Sequence, residues 1–146
     1  MVHRYEVSIR WSGATTDYRS YSRNHEVHSP GLPPIPASAD PAIGRGDAAR
    51  WNPEQLLVAS LSECHMLWHL HLCTDAGIVV VDYRDDAVGV MTDAAFTEVT
   101  LHPVVTIIDA TRADDAQALH AEANTRCYIA NSVNFPVRHL PRVETR

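Results

Sequence analysis

The pattern of apolar and polar residues along this chain predicts strands, then one long helix, then further strands around a second helix. Apolar and polar residues alternate over residues 3–11, which is typical of a half-buried strand, and more weakly over residues 17–28. The valine-rich stretch 78–90 and the stretch 96–108 predict two strands that pair as a hairpin, and a last strand begins at Asn131. Because strands and helices do not alternate strictly, the predicted fold class is α+β.

The long helix is predicted between Asn52 and Gly77, a stretch that no glycine or inner proline interrupts. Asn52 is a good N-cap residue, Pro53 suits the first helical position, and Gln55 completes a capping-box pattern. Gly77 can adopt the left-handed conformation just past the helix end. Leucine and other apolar residues cover more than one side of this helix, which predicts burial in a core or an interface.

A second helix is predicted from Thr111, as its cap, to about Tyr128, with acidic residues at its positive N-terminal end. Residues 29–50, rich in proline and glycine, predict a loop, and loops of this length are usually functional or disordered. At 146 residues the chain is expected to form a single domain, residues 1–146.

Charge and cysteine content narrow the class of protein. The net charge is -6 with histidine neutral, and the 12 cationic Lys and Arg positions are all arginine, so we expect no nucleic-acid partner. Polar residues interrupt every long apolar run of the central helix, so we expect no membrane partner. The 3 cysteines include no C-x-x-C pair, which favours the reducing cytoplasm over a secreted disulfide framework.

The central helix carries a candidate reactive thiol, Cys64. A lone buried cysteine is more often a small hydrophobic residue than a nucleophile. Here, however, the adjacent Glu63 and His65 place polar groups on an otherwise apolar element, where they need a partner or a purpose. Cys127 lies near the end of the second helix, so the two thiols either react in sequence or are independent buried residues. Cys73, on the face opposite Cys64, is interpreted as structural.

His65 and His69 are four residues apart and share one face of the helix, as metal-binding pairs do. No carboxylate flanks them in the arrangement of a metalloprotease. The favoured interpretation is a pair of core or interface histidines, and a metal site made by both histidines and a cysteine is the weaker alternative. We therefore expect neither a metal nor an organic cofactor.

The segment NPEQLLVASLSEC, residues 52–64, resembles the signature of the OsmC-like superfamily of osmotically inducible and organic hydroperoxide resistance proteins. In that family an Asn-Pro-Glu-x-Leu motif opens the central helix, and the peroxidatic cysteine follows twelve residues after the asparagine, as Cys64 follows Asn52. A second family cysteine lies late on the second helix, where this chain has Cys127. The family order β-β-(β)-α-β-β-α-β also matches, so the resemblance covers the whole chain.

The resemblance implies a thiol-dependent peroxidase and an intertwined homodimer. Cys64 would attack a hydroperoxide, organic by preference, and become a sulfenic acid. Cys127 would condense with it to a disulfide, which an external dithiol reductant would then reduce. After Cys127 the chain lacks the Pro-Val-Ser of the best-known members and resembles a less characterised branch. A ligand-binding or redox-sensing module on the same fold, without significant turnover, is therefore the alternative.

The resemblance also implies an arginine that favours the thiolate of Cys64 and a carboxylate, Glu54 by its place in the motif, that holds this arginine. Glu54 and Cys64 are about 15 Å apart along a straight helix, so a second chain is an alternative source of the carboxylate. The favoured arginine is Arg45, in the loop before the helix. The other candidates are Arg50, Arg19 and Arg23.

Overall fold

The computed structural model describes residues 1–146. Its elements are β1 (Ser8–Arg10), β2 (His25–His28), β3 (Ile35–Ala37), α1 (Pro41–Gly44), α2 (Pro53–Asp75), β4 (Val80–Asp85), β5 (Val88–Thr92), β6 (Ala95–Leu101), β7 (Pro103–Ile107), α3 (Ala113–Arg126), β8 (Val137–His139) and β9 (Arg142–Thr145), with 3-10 turns at Ala110–Arg112 and Ala130–Ser132. This order confirms the α+β class with a long central helix. No helix combines the length and the apolar character that crossing a bilayer requires.

Residues 1–56 form the first of two compact units. Strand β2 pairs antiparallel with both β1 and β3. The strand predicted over residues 3–11 is wrong in its extent and burial, since only β1 is paired and its side chains are exposed. The loop predicted over residues 29–50 contains β3 and the helix α1, which the Asp40 carboxylate caps by accepting from the Ala42 N–H.

Residues 57–146 form the second unit, which contains the sheets β4-β7-β9 and β5-β6-β8. The predicted pairing of 78–90 with 96–108 is confirmed, because β4 pairs with β7 and β5 with β6. Each predicted strand is, however, two strands, since the chain changes sheet midway. At this change of sheet, the Asp85 carboxylate accepts hydrogen bonds from the His102 N–H and the Ser62 hydroxyl, both 2.6 Å long. The next residue, Pro103, has no N–H and begins β7.

The C-terminal third also differs in detail from the prediction. Asp109, not Thr111, caps the turn before α3, because its carboxylate accepts a hydrogen bond from the Thr111 N–H at 2.9 Å. The single strand predicted from Asn131 is divided into β8 and β9, which run parallel to β6 and β7. Each of the two sheets of this unit thus receives one strand from the C-terminal segment.

The caps of α2 are those that the sequence predicts. The Gln55 N–H donates to the Asn52 side-chain oxygen at 2.8 Å, and the Asn52 N–H donates to the Gln55 side-chain oxygen at 3.1 Å. Both bonds of the predicted capping box are therefore present. At the other end Gly77 has a φ of 71°, in the left-handed region.

The burial of α2 follows one stripe and not most of its surface. Its buried residues are spaced by about one turn: Leu61, His65, His69, Leu72 and Cys73. Leu67, on another side, is 61% exposed. Within the single chain the core therefore covers one stripe of this helix, and the predicted burial of its other sides in an interface stays a prediction.

The stripe connects two apolar clusters of the second unit. Leu61 packs with Val99 and Leu101 of β6, while Cys73, three turns further along α2, packs with Val105 of β7. The two histidines of the stripe lie between these clusters along the helix. Polar imidazoles therefore occupy positions that the helical pattern assigns to the core.

Candidate functional site

Two of the three cysteines lie side by side in the second unit. Cys64 is half-buried on α2, and Cys127 is the residue directly after α3, where the backbone turns extended with φ −64° and ψ 112°. The two side chains interact, and all three cysteines are free thiols. The arrangement therefore places the half-buried thiol of α2 next to the buried thiol that follows α3.

The two thiols differ in their surroundings. Burial, together with the neighbouring Cys64 thiol, raises the pKa of Cys127 to about 11. The Ala130 N–H, whose nitrogen lies 3.4 Å from the Cys127 sulfur, opposes this rise in pKa by donating to the sulfur. Cys127 is thus a protonated thiol at neutral pH. Its side chain is also almost fully buried, since the residue is 1% exposed. Since the thiolate is the nucleophile, the half-buried Cys64 is the better placed of the pair to attack a dissolved substrate.

Backbone and side-chain hydrogen bonds hold the turn that follows Cys127. The Asn131 N–H donates to the Cys127 carbonyl at 3.0 Å, and the Asn131 side chain donates to the Thr125 carbonyl at 3.0 Å. The Ser132 hydroxyl donates to the Tyr128 carbonyl at 2.7 Å. Asn131 and Ser132 thus fix the segment that differs from the Pro-Val-Ser of the best-known relatives, a role that the sequence pattern did not reveal.

An aromatic pair flanks the two thiols. Trp68 lies one turn after Cys64 on α2, Tyr128 directly follows Cys127, and their ring centroids are 5.6 Å apart at an angle of 70°. The Arg126 guanidinium lies over the Trp68 ring at 5.5 Å. Tyr128 is 69% exposed, so the pair forms an accessible apolar surface. Trp68 could be anticipated from its spacing of four from Cys64, whereas nothing in the sequence pattern pointed to Tyr128 or Arg126.

The candidate arginines all lie in the first unit. Arg45 is exposed, with a left-handed φ of 57°, and forms no ion pair within that unit. Arg50 donates to the His25 carbonyl at 3.2 Å, and Arg23 donates to the Tyr18 carbonyl at 2.6 Å and stacks on two tyrosine rings. The side chain of Arg19 is exposed. Of the four candidates, Arg45 and Arg19 are therefore the ones whose side chains are free to bind another group.

Glu54 lies in the first turn of α2 and is half-buried. One of its carboxylate oxygens, Oε2, is buried without any hydrogen-bond partner. A buried carboxylate oxygen in that state is costly unless a cation or a donor binds it. Glu54 is thus suited to hold a guanidinium, although the first unit provides none.

The histidine pair of α2 belongs to a larger buried cluster. His65 Nε2 and His120 Nδ1 are 2.9 Å apart, and His69 Nε2 donates to the Ala116 carbonyl at 2.8 Å. Burial lowers the pKa of His65 to about 4 and that of His120 to about 2, so both are neutral at pH 7. The interpretation of His65 and His69 as core residues is confirmed, since they are 1% and 0% exposed. No group of three or more His, Cys, Asp or Glu side chains is arranged to hold a metal ion.

Comparison with known proteins identifies the relatives of this chain. The sequence model of the family described as OsmC-like protein matches residues 45–139. An OsmC-like protein of unknown function from Vibrio cholerae is 28% identical, with a TM-score of 0.87 over 96% of this chain and 99% of that one. A search of curated proteins gives no match.

Two further solved structures are of proteins named for resistance to organic hydroperoxides. An organic hydroperoxide resistance protein OsmC from Legionella pneumophila is 19% identical, with a TM-score of 0.68 over 99% of this chain and 98% of that one. The organic hydroperoxide resistance protein OhrB of Bacillus subtilis is 20% identical, with a TM-score of 0.63 over 97% and 98% of the two chains. At these low identities the similarity shows a common fold and nothing more.

Proposed function

Because the chain belongs to the OsmC-like protein family, we propose that it is a thiol-dependent peroxidase that reduces organic hydroperoxides. The observation that carries the proposal is the Cys64–Cys127 pair, in which one thiol is half-buried and the other is buried beside it. The Legionella and Bacillus proteins of the same fold are named organic hydroperoxide resistance proteins, which agrees with this chemistry. The odd cysteine count suits a reducing compartment such as the cytoplasm.

The proposed cycle has three balanced steps. The Cys64 thiolate attacks one oxygen of ROOH and breaks the O–O bond, so that Cys64 becomes a sulfenic acid and RO⁻ takes a proton to leave as the alcohol. The Cys127 thiol then displaces the sulfenic oxygen as water and forms the Cys64–Cys127 disulfide. An external dithiol exchanges with that disulfide, becomes a disulfide itself and returns both thiols. No step needs a metal or an organic cofactor.

The surface beside the thiols favours an organic substrate over hydrogen peroxide. Trp68 and Tyr128 offer ring faces next to the site, and Leu67 is also exposed on α2. Burial of apolar substrate atoms against these side chains contributes about 25 cal/mol for each Å² removed from water. Hydrogen peroxide has no apolar surface and gains nothing from this contact.

A redox-sensing module without turnover is the second candidate. The burial of Cys127, which is 1% exposed, favours it, because an external dithiol would reach the disulfide only through Cys64. Such a module would form the disulfide once and would be reduced slowly. Turnover in the presence of a dithiol therefore distinguishes the two functions.

The proposal is tested by treating the reduced protein with one equivalent of cumene hydroperoxide and mapping its peptides by mass spectrometry. We expect a Cys64–Cys127 disulfide, because these thiols interact, while Cys73 stays reduced in the apolar core. Dithiothreitol in excess should then support many turnovers. A Cys64–Cys73 disulfide, or oxidation of Cys64 to the sulfinic acid alone, contradicts the cycle, and one turnover without a second supports the sensor.

We propose that Arg45 favours the Cys64 thiolate and that Glu54 holds this arginine. Arg45 and Glu54 form no ion pair within one chain, and the exposed Arg45 and the unpartnered Glu54 oxygen leave both free to pair across the homodimer proposed below. Arg45→Ala is expected to slow alkylation of Cys64 near pH 7 by about tenfold, about 1.4 kcal/mol, because the thiolate loses its cation.

The measurement is the pH dependence of Cys64 alkylation by iodoacetamide. Arg50→Ala, Arg19→Ala and Arg23→Ala are made in parallel, and Arg45→Lys tests whether charge alone suffices. A shifted profile in Arg19→Ala or Arg23→Ala, with Arg45→Ala unchanged, moves the role to the N-terminal segment. An unchanged profile in all four alanine variants removes the arginine from the proposal.

We also propose that the protein is a homodimer. The first unit leaves apolar side chains exposed on β1 and beside it, with Val7 and Ile9 both 62% exposed, and α2 leaves Leu67 exposed. Apolar surface of this kind is typical of an interface. Light scattering should therefore give twice the chain mass of 16.2 kDa, and a monomer at micromolar concentration would contradict the dimer.

A further inference from the structure

A cluster of histidines from three elements fills the space between α2 and α3 in the second unit. His65 and His69 come from α2, His120 from α3 and His139 from β8. The rings of His69 and His120 stack with centroids 3.7 Å apart, and those of His65 and His139 are 5.6 Å apart. Three of the four histidines are at most 1% exposed, and His139 is half-buried.

These imidazoles hold α3 against α2. His120 stacks on His69 and shares a hydrogen bond with His65, while His69 donates to the backbone of α3 at Ala116. The 2.9 Å contact between His65 Nε2 and His120 Nδ1 requires one nitrogen with a proton and one without. Two protonated rings would present two N–H groups to each other, so the contact needs at least one neutral ring.

No anionic group faces the cluster to stabilise a charged imidazole. The other titratable groups packed against it are Cys73 on α2 and Tyr83 on β4, and burial raises the pKa of both, so they are neutral. The carboxylate of Asp85 acts on Tyr83, and it already accepts hydrogen bonds from Ser62 and the His102 N–H. Arg112, near Cys73, adds positive charge. A proton on the cluster is therefore unpaired.

Further nitrogen atoms of the cluster have no hydrogen-bond partner: His65 Nδ1, His120 Nε2 and His139 Nδ1. These atoms are the positions at which a proton or a water would bind if α3 moved away from α2. In the closed arrangement they lie buried. The contact between the helices is thus lost when both rings of the His65–His120 pair carry an extra proton, and a single buried proton there lacks an anionic partner.

We propose that His120 is a positioning residue for Cys127: while it is neutral it holds α3 on α2 with Cys127 beside Cys64, and acid releases the end of α3 and separates the two thiols. His120 and Cys127 are seven residues apart, about 10 Å along the helix axis, so a shift of α3 at His120 moves Cys127 with it. The consequence for catalysis rests on the proposed function, since Cys127 is there the partner of Cys64. The release of α3 itself does not depend on the proposed function.

Acid release is tested by thiol labelling of the intact reduced protein with 4,4′-dithiodipyridine, which reacts with thiols in acid. Labelling of each cysteine is read by peptide mass mapping and divided by the rate for free glutathione at the same pH. Between pH 7.5 and 5.0 we expect the relative rate at Cys127 to rise by about tenfold or more, because released histidines regain an ordinary pKa near 6.5. Far-UV circular dichroism at pH 5.0 should stay native.

Matched variants separate positioning from general support of the fold. Asn at position 120 can place its amide oxygen near Nδ1 as the acceptor and Gln at position 65 its amide N–H near Nε2 as the donor, and neither titrates, so His65→Gln/His120→Asn should reduce the rise to about threefold or less. A merely structural role would raise labelling at every pH and leave the rise intact. His71→Gln is the control, since His71 lies on the exposed side of α2 beside Asp75, and it should keep the full rise.

Three outcomes overturn the proposal: no rise in the natural protein, an equal rise in the double variant, or loss of circular dichroism in step with labelling. Because labelling needs no peroxide and no turnover, an inactive protein that shows the rise would refute the peroxidase and leave the positioning role in place. An active protein that does not show the rise would refute the positioning role of His120 and leave the proposed peroxidase in place.

Discussion

Cys64→Ser is expected to lower kcat/KM for cumene hydroperoxide by about a thousandfold or more, the largest effect of any single substitution. A serine hydroxyl is not ionised at neutral pH and cannot take an oxygen atom to form a sulfenic acid. No other thiol replaces it, because burial raises the pKa of Cys73 to about 11 and that of Cys127 likewise to about 11. The measurement is steady-state reduction with dithiothreitol as the dithiol.

Two other cysteine variants serve as controls for this result. Cys73→Ala removes a thiol that is 0% exposed and packs in the core, so the specific activity of the folded fraction should stay within about twofold of the natural value. Without added dithiol, Cys127→Ser should reduce one equivalent of hydroperoxide and stop, with Cys64 trapped as a sulfenic acid that dimedone labels. Full activity in Cys64→Ser would remove Cys64 from the reaction, whatever the other variants show.

Local signals predicted the start and end of the central helix. The Asn52–Gln55 capping box and the left-handed Gly77 depend on neighbours in sequence, and all of these features are present. The pairing of 78–90 with 96–108 was also predictable from periodicity and length. Its division between two sheets was not, because it depends on Asp85 binding the His102 N–H seventeen residues away.

The thiol pair could be proposed only through the family motif. Spacing places Cys64 twelve residues after Asn52, but nothing in the local sequence says that Cys127 lies beside it. The contact joins residues that are far apart along the chain and arises from the packing of α3. The same holds for Tyr128, whose contact with Trp68 is equally distant in sequence.

The histidine cluster shows where pattern reasoning failed most. On α2, His65 and His69 could be assigned to the core, yet their partners are His120, 55 residues after His65, and His139. Helical periodicity treats histidine as polar and therefore did not place His120 in the core. Only the packed structure shows that these imidazoles stack on and hydrogen-bond to one another.

The free energy of unfolding is expected to fall by about 4 kcal/mol between pH 7.5 and pH 5.0. Burial lowers the pKa of His65 to about 4 and that of His120 to about 2 in the folded protein, both below the ordinary histidine pKa of about 6.5. Below pH 6.5 the unfolded chain binds protons at these positions and the folded chain does not, so acid favours unfolding. The contribution is complete above pH 6.5 and is lost as pH falls toward 4 for His65 and toward 2 for His120.

Each of these histidines costs about 1.4 kcal/mol per pH unit in that window, or about 2 kcal/mol by pH 5.0. Hydrogen bonds lower the pKa of Asp17 and of Asp109, so the loss of these two carboxylates lies below the measured pH range. Urea unfolding at pH 7.5, 6.0 and 5.0, followed by circular dichroism, gives the slope. His65→Gln/His120→Asn should flatten this slope, because the two amides do not titrate, and His71→Gln should leave it unchanged. A stability that is level from pH 7.5 to 5.0 in the natural protein would contradict the prediction, since it would mean that the cluster is already charged or open.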